Sequence, residues 1–417
     1  MRFSLLFTGV VGAAVSLSAC DSFVEDTDLP IDRVESDSLT QQSEIGFLAT
    51  GVKEGFNDTY DALAVAADLL SDAAQFDQGV RNATFPTFGE VDRGDILFDN
   101  NTIDNVYNAL NEYRFLADEI LNRADAIDFT SDDEGAEAER LARYTGNLHG
   151  GISRYFLGAY FSPDPQAQTG GAPISPDRES PSAVIPTSEL YNQAQQKLET
   201  ALQFVADGDD GAYQTRLINT MRARIALFAG NREQAASFAA NGLIEGDPAF
   251  QGQYVVGTSP NNWWSEGGRG RTQVSIDDRF FDYDQEDNRM LVETAPPASA
   301  SNPGPFYRQA LYQDAGDPIP FLTWQENALI LAEADIFDGN SDDSEARDLI
   351  NSVRASRGIA ELGDEDVDQD TLLEVRDREL FTRGLRLIDQ RRFGLPLANG
   401  TGFFPLTQSE RNANPNL

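Results

Sequence analysis

Apolar side chains recur at intervals of three and four residues along most of the chain, which is the pattern of helices with one buried face. The pattern predicts two helices between residues 39 and 70, followed by single helices over residues 103–127 and 134–160. After Pro186 another helix is predicted, capped by Thr187 and carrying an apolar face of Tyr191, Ala194, Leu198, Ala201 and Val205. We therefore expect an all-α fold.

Two later segments have the pattern of a helical hairpin. In the first, a helix over residues 213–229 is followed by a turn at Gly230 and an alanine-rich helix. In the second, a helix over residues 327–337 precedes a turn at Gly339 and another apolar helix. Small residues let paired helices approach closely, as in tetratricopeptide repeats. The expected architecture is tetratricopeptide-like helical pairs, with an ordinary helical bundle as the alternative.

Three segments interrupt the helical pattern. Residues 76–98 mix glycines and a proline with aromatic side chains and are predicted to form a long loop, and residues 162–186 form a proline-rich connection. Residues 246–320 contain 8 Gly and 8 Pro, too many for long helices, so this stretch is predicted to be a loop-rich insert. The last large helix is predicted over residues 371–391 and begins with a capping box at Thr371.

The charge balance and the rare residue types exclude several kinds of function. The chain has 31 Lys plus Arg against 69 Asp plus Glu, a formal net charge of −38, so nucleic acid would be repelled. Adaptation to a salty medium is the simplest explanation, because salt screens the mutual repulsion of the carboxylates. One His and one Cys leave no two-histidine metal site, no intramolecular disulfide and no cysteine-ligated zinc. We predict neither a metal nor a cofactor.

The N-terminal segment has the features of a cleavable export signal. Arg2 precedes an apolar run from Leu5 to Leu17, which is shorter than the about 20 residues that span a bilayer. The run ends in the sequence LSAC at Cys20, which resembles the lipobox of bacterial lipoproteins. Cleavage before Cys20 would expose it for acylation, and the acyl chains would anchor the protein in a membrane. The alternative is an ordinary secretory signal with a leftover cysteine.

The C-terminal region carries a longer motif. It reads RDRELFTRGLRLIDQRRFG, and the chain ends in NPNL; both resemble the SusD/RagB family of nutrient-binding lipoproteins in Bacteroidetes-type outer membranes. The matching positions are Arg376, Glu379, Leu380, Gly384, Arg386, Asp389, Arg392, Gly394, Asn414, Pro415, Asn416 and Leu417. The sequence departs from the family pattern at Val375 and Arg383, where glutamate is usual, and at Phe393, where tryptophan is usual. An upstream helix around Glu333 is also similar to the family.

The charged positions of this motif suit a structural role. Residues three apart on a helix are neighbours, so Glu379 is predicted to pair with Arg376, and Asp389 with Arg386. The resemblance gives no reason to treat these residues as catalytic.

The resemblance implies helical pairs of tetratricopeptide type that support an irregular, loop-rich ligand-binding face. It also implies a lipid-anchored protein at the cell surface of the outer membrane, lying as a lid over a TonB-dependent transporter of the SusC type. The chain then divides into a lipoprotein signal peptide (1–19), an acidic tether beginning at Cys20 (20–37) and a single SusD-like domain (38–417) that includes the insert at about 246–320. The expected function is capture of an oligosaccharide or peptide and its delivery to the transporter, without catalysis. The alternative is a lipid-anchored scaffold that binds only proteins.

Ligand capture by aromatic side chains is the chemistry that the loop regions favour. Sugar rings present apolar C–H faces that stack on aromatic rings, while Asn and Arg side chains form hydrogen bonds with hydroxyls. The insert supplies both kinds of side chain in Asn261, Asn262, Trp263, Trp264 and Arg271. The earlier loop supplies a second candidate in Phe85 and Phe88. The alternative role for the two tryptophans is to anchor the loop on the helices.

Catalysis and calcium binding have weak support in the sequence. Among 69 acidic residues a carboxylate pair at glycosidase spacing arises by chance, and His149 has no identifiable partner as a general base. Acidic residues at alternate positions of 364–370 resemble the start of a calcium loop. However, Gln369 and Val375 stand where the turn glycine and the closing glutamate belong. We therefore predict neither activity.

Overall fold

The computed structural model describes residues 41–162, 170–177, 179–339, 343–363 and 367–417. The predicted signal peptide, the predicted tether and the predicted lipid-attachment residue Cys20 lie outside the described residues.

The described part of the chain contains fourteen α-helices and eight short strands. The helices are α1 (Ile45–Leu70), α2 (Pro86–Asp92), α3 (Asn101–Ala126), α4 (Asp133–Tyr160), α5 (Thr187–Ala201), α6 (Gly208–Phe228), α7 (Arg232–Ala239), α8 (Asn262–Glu266), α9 (Arg279–Asp284), α10 (Trp324–Ile336), α11 (Ser344–Ser356), α12 (Gln369–Glu379), α13 (Arg386–Phe393) and α14 (Gln408–Ala413). The strands are β1 (Ala74–Gln75), β2 (Gly171–Pro173), β3 (Val184–Pro186), β4 (Phe250–Gly252), β5 (Ser275–Ile276), β6 (Val292–Thr294), β7 (Tyr307–Gln309) and β8 (Ile319–Leu322). The predicted helical fold class is confirmed.

The longer helices pack against their neighbours in the chain and form the body of the protein. Helix α3 lies against α1 and α4, and α4 packs in turn against α5. Helices α6 and α7 form the first predicted hairpin, and α10 and α11 form the second. The buried faces meet in one main core, with a smaller core around α10, α11 and α12. The predicted helical pairs are therefore present.

Glycines on α4 explain how closely this helix packs against α5. A Cβ atom at Gly151 would lie 2.8 Å from Cγ of Leu198, and one at Gly158 would lie 2.8 Å from Cε1 of Tyr191. Both distances are shorter than van der Waals contact, so any larger residue would push the helices apart. The close approach buries Leu198 and Tyr191 at the interface.

A carboxylate on α3 links the same helices through charge. Asp118 accepts hydrogen bonds from Arg114 at 3.1 Å and from Arg154 of α4 at 2.9 Å. The ammonium group of Lys197 on α5 lies 3.0 Å from the same carboxylate. Burial alone would raise the pKa of Asp118, but Arg154 and Lys197 outweigh burial and hold the pKa below its usual value.

Two predictions for the N-terminal half are wrong. The pair of helices predicted between residues 39 and 70 is the single helix α1, because tertiary packing overrides the weak helix propensity of its glycines. One of these, Gly55, faces α3 so closely that a Cβ atom would lie 3.3 Å from Cα of Tyr113. The predicted loop over residues 76–98 contains α2, which begins with Pro86 in the position where proline favours a helix.

The prediction of one helix over residues 371–391 is also wrong, since α12 and α13 are separate helices joined by a turn. Asp368 caps α12 in place of Thr371, and its carboxylate accepts a hydrogen bond from the Thr371 amide at 2.9 Å. The turn contains Gly384, whose φ of 73° is in the left-handed region. A Cβ atom at Gly384 would lie 3.1 Å from Cα of Ala64, so this glycine also lets the turn pack against α1.

The predicted insert over residues 246–320 is irregular and holds only short elements. A four-stranded antiparallel sheet has the order β1–β5–β7–β6, and β4 pairs with β8. In this sheet Ala74 pairs with Ile276, which ties the insert to the end of α1. Helices α8 and α9 are the two short helices of the insert.

The C-terminal helices are held by arginine–carboxylate contacts that are buried from water. Asp389 accepts hydrogen bonds from Arg376 at 2.8 and 2.9 Å and from Arg392 at 3.0 Å. Arg392 also pairs with Glu333 of α10, which Arg232 of α7 contacts at 3.0 Å. Side chains from α7, α10, α12 and α13 thus meet in one charge cluster.

A second buried cluster surrounds Glu379. Its carboxylate accepts hydrogen bonds from Arg289 at 2.9 Å, from Arg357 at 2.8 and 3.0 Å, and from Arg383 at 3.3 Å. Burial would raise the pKa of Glu379, but the three guanidinium groups outweigh burial and hold the pKa below its usual value. The acid is therefore ionised in the interior.

The structural role predicted for the motif's charges agrees with these contacts, but the predicted partners are wrong. Arg376 pairs with Asp389 instead of Glu379, and Arg386 pairs with Asp72 at 2.6 and 2.8 Å. The predicted pairs assumed that residues three apart on one continuous helix are the closest charged neighbours. The turn at Gly384 separates α12 from α13 and brings residues of the two helices side by side.

The spaces beside these clusters are too small for a ligand. The space next to Glu379 and the space next to Asp389 each have a volume of about 10 Å³. Such a volume accommodates about one water molecule. The charged motif therefore serves the fold.

We predict that Asp389→Asn lowers the free energy of unfolding by about 3–5 kcal/mol, because it removes the carboxylate that pairs directly with the buried Arg376. Urea unfolding measures this loss. The control is Glu137→Gln, which breaks an exposed pair with Arg140 and should cost less than about 1 kcal/mol. Equal effects of the two substitutions would contradict the account.

Candidate functional site

A cavity of about 210 Å³ lies where α1, α2, the first turns of α3, and α8 meet. Its lining residues are Ala62, Val65, Phe85, Thr87, Phe88, Asn101, Thr102, Asn105, Val106, Asn262 and Glu266. The insert and the loop after β1, which lie far apart in the sequence, thus share one opening.

The aromatic part of the site is an exposed phenylalanine ring with a guanidinium group on one side. Phe85 is 42% exposed, and Phe88 packs edge-to-face against it with ring centroids 6.1 Å apart. The guanidinium carbon of Arg271 lies 4.4 Å from the centroid of the Phe85 ring. This arrangement offers a partly covered apolar face with a cation beside it.

Hydrogen bonds from the insert hold this loop in position. The side-chain oxygen of Gln273, which is fully buried, accepts from the amide of Thr84 at 2.8 Å and from that of Phe85 at 3.3 Å. Arg271 donates to the Thr84 hydroxyl at 3.1 Å. The aromatic ring is therefore held by the same segment that supplies α8.

Two hydrogen bonds to α1 hold Asn262 in position. Its backbone amide and its side-chain Nδ2 donate to the two carboxylate oxygens of Asp61 on α1, each at 2.9 Å. Burial raises the pKa of Asp61 to about 8, and the hydrogen bonds from Asn262 oppose this rise. With Nδ2 engaged by Asp61, the side-chain oxygen of Asn262 is the atom left to accept a hydrogen bond from a ligand.

The remaining polar groups come from α3 and from the end of α8. Asn101 and Asn105 are exposed on the first turns of α3, and the hydroxyls of Thr102 and Thr87 are 3.0 Å apart. Burial raises the pKa of Glu266, the single acidic residue among the described lining residues. The cavity thus combines an aromatic ring with amides, hydroxyls and one carboxyl group.

The structure brings some of the predicted site residues together and separates others. Phe85, Phe88 and Asn262 line the cavity, and Arg271 contacts Phe85. Trp264 is half-buried and packs against the main core.

Trp263 and Asn261 were predicted to contact a ligand. The structure differs, because both side chains are fully buried and present no surface to a ligand. Asn261 instead caps α8, where its oxygen accepts from the Trp264 amide at 3.0 Å, and its Nδ2 donates to the Asp317 carbonyl at 2.7 Å. The alternative role as an anchor therefore applies to Trp263.

Four residues of the site were not predicted from the sequence, namely Asn101, Asn105, Glu266 and the supporting Asp61. The run NNTIDN at the start of α3 was the available signal, because exposed asparagines at a helix start next to an aromatic loop suit hydroxyl recognition. Asp61 gave no signal, since its role depends on a contact with a segment distant in the chain.

His149 lies in the core between aromatic rings. Its Nδ1 is 2.8 Å from the hydroxyl of Tyr113, and burial lowers its pKa to about 3. An uncharged, packed histidine of this kind is not positioned to act on a ligand in the cavity. Within the described residues no group of three His, Cys, Asp or Glu could hold a metal ion.

Comparisons with known proteins identify the fold. No family model and no curated protein matches the sequence. Among solved structures, a SusD superfamily protein from Bacteroides thetaiotaomicron has a TM-score of 0.73 at 16% identity, covering 90% of this chain and 98% of its own. A putative sugar binding protein from Bacteroides vulgatus has a TM-score of 0.71 at 18% identity, with coverage of 91% and 98%.

Surface glycan-binding protein A from Bacteroides uniformis is also similar, with a TM-score of 0.70 at 15% identity, covering 90% of this chain and 98% of its own. The protein therefore has the fold of the SusD superfamily. The resemblance seen in the C-terminal motif is confirmed at the level of the fold.

We predict that Trp263→Ala lowers the free energy of unfolding by about 3–5 kcal/mol, because it empties a large buried volume. Phe85→Ala removes a ring that is 42% exposed and should cost about 1 kcal/mol or less. Urea denaturation of the two variants provides the comparison. Similar stability losses would mean that Trp263 is not the anchor of α8.

Proposed function

We propose that this protein is a lipid-anchored, surface-exposed protein of the outer membrane. In this proposal it captures an oligosaccharide and delivers it to a TonB-dependent transporter of the SusC type. The observation that carries the proposal is the cavity beneath Phe85, where an exposed ring lies beside fixed amide and hydroxyl groups. The fold shared with proteins described as sugar-binding and glycan-binding supports it.

The chemistry of the cavity suits a carbohydrate better than a purely apolar ligand. A pyranose ring can lay its C–H face on Phe85, while its hydroxyls reach the Asn262 oxygen and the amides of Asn101 and Asn105. A cavity of about 210 Å³ is smaller than the roughly 300–1,000 Å³ of sites that enclose a whole drug-sized ligand. We infer that it holds one part of a longer glycan whose remainder extends over the opening.

The arrangement of carboxylates supports binding without catalysis. A glycosidase places two carboxyl groups about 5–9.5 Å apart across the scissile bond. Glu266 is the one acidic residue among the described lining residues of the cavity, and Asp61 is covered by Asn262. The site offers no pair for this mechanism, which favours capture over hydrolysis.

We predict that Phe85→Ala weakens oligosaccharide binding about fivefold or more, because truncating a central aromatic contact costs more than about 1 kcal/mol. The measurement is a glycan and peptide screen with the form that begins at Asp21, followed by calorimetric titration of the best ligand. The matched control is Phe47→Ala, which removes an exposed ring of α1 outside the cavity. Preferential peptide binding, or an unchanged dissociation constant for Phe85→Ala, would contradict the proposal.

The membrane anchor is proposed from the lipobox, since Cys20 lies outside the described residues. In the described ranges no helix combines the length and apolarity needed to cross a bilayer. We predict that Cys20→Ser moves the protein from the membrane fraction to the soluble fraction, because two or more acyl chains are needed for stable attachment. Fractionation and mass spectrometry of the N-terminal peptide test this; continued membrane attachment without acylation would rule out the anchor.

A further inference from the structure

A second cavity is more than twice as large as the first, with a volume of about 490 Å³. It is formed by the segment before α3, the end of α4, the β2–β3 hairpin and the segment leading into α14. The lining residues are Gly94, Ile96, Phe98, Phe161, Gly170, Gly171, Val184, Thr401, Phe403, Phe404, Pro405, Leu406 and Arg411. None of them lines the candidate glycan site.

The base of this cavity is aromatic and rigid. Phe161 and Phe404 are buried and pack edge-to-face with ring centroids 5.4 Å apart. The amide of Phe404 donates to the Tyr160 carbonyl at 2.7 Å, which fixes the segment to the end of α4.

The rim is also held by hydrogen bonds within the chain. Thr401 donates its hydroxyl proton to the Gly94 carbonyl at 3.1 Å, and the Gln408 amide donates to the Phe98 carbonyl at 2.7 Å. These contacts join the segment before α3 to the C-terminal segment. This part of the rim is therefore held in place by contacts within the chain.

The charge of the cavity is opposite to that of the protein. Arg411 is the one charged residue among its described lining residues, although the chain has 69 acidic and only 31 basic residues. The Arg411 guanidinium lies over the half-exposed ring of Phe98, 4.1 Å from its centroid, and its Nε donates to the Leu406 carbonyl at 3.0 Å. None of the ion pairs among the described residues involves Arg411.

We propose that this cavity is a second ligand site, which takes a small amphipathic anion with a compact aromatic or aliphatic body and one carboxylate. The body would fill the phenylalanine-lined interior, and the carboxylate would meet Arg411 at the mouth. The volume lies within the range of small-molecule sites. A sugar does not fit this chemistry, because Thr401 and Arg411 are the only polar side chains among the described lining residues and most hydroxyls would lose their hydrogen bonds.

Three naphthalene probes that differ in their head group test the proposal with the purified protein. They are 2-naphthaleneacetate, which is an anion, 2-(2-naphthyl)ethanol, which is neutral, and 2-(2-naphthyl)ethylamine, which is a cation. Titration in about 1 M salt limits the effect of the overall negative charge to about 3 Å. We expect saturable binding of the acetate, with the amine at least about tenfold weaker.

Two variants locate the binding. Val184→Phe should remove binding of the acetate by filling the cavity, and Arg411→Gln should weaken the acetate about fivefold while leaving the alcohol unchanged. The control is Arg81→Gln, at an exposed arginine that lines neither cavity. Circular dichroism tests whether Val184→Phe is folded, and Arg411→Gln remains decisive if it is not.

Absence of saturable acetate binding would overturn the proposal. Equal affinity for the three head groups, or an unchanged affinity in Arg411→Gln, would overturn the assigned role of the guanidinium. Binding that persists in folded Val184→Phe would place the ligand elsewhere and would also overturn it. None of these results depends on the glycan site, which shares no lining residue with this cavity.

Discussion

Arginine–carboxylate contacts buried from water determine how the C-terminal segment is fixed on the helical pairs. Burying an ion costs several kcal/mol, and only close contacts with several partners offset that cost. Asp389 and Glu379 each meet at least two arginines. The same region reaches α1 through Arg386 and Asp72, and Asp61 of α1 holds Asn262 at the cavity. The end of α1 thus contacts the C-terminal charge clusters, and its middle contacts the segment that lines the cavity.

The sequence predicted the helices whose buried faces are contained within one segment. The bounds of α3 and α4 agree with the periodicity to within a few residues, because each helix buries its own apolar stripe. Periodicity could not predict three other features. They are the continuity of α1, the separation of α12 from α13, and the partners of Arg376 and Arg386. They depend on contacts between distant parts of the chain, such as the packing of Gly384 against Ala64.

In the candidate site, too, some features could be predicted from local sequence and others depend on contacts between distant segments. Composition identified loops rich in aromatic and amide side chains, and Phe85, Phe88 and Asn262 do line one cavity. Composition did not indicate which side of α8 faces inward, so Trp263 was predicted to contact the ligand, whereas its side chain is fully buried. The sequence gives no way to distinguish Trp263 from Trp264, whereas in the structure Trp263 is fully buried and Trp264 is half-buried. A periodicity cannot be read from five residues, which is why the orientation needed the structure.

The central claim is that a glycan binds on the Phe85 ring beside Asn262 and remains intact. The most direct measurement is the crystal structure of the protein with the tightest-binding oligosaccharide from a screen. The account predicts an uncleaved glycan with one sugar ring stacked on Phe85 and a hydroxyl donating to the Asn262 oxygen. A glycan bound at another surface with this cavity empty, or a cleaved product in the cavity, would contradict it.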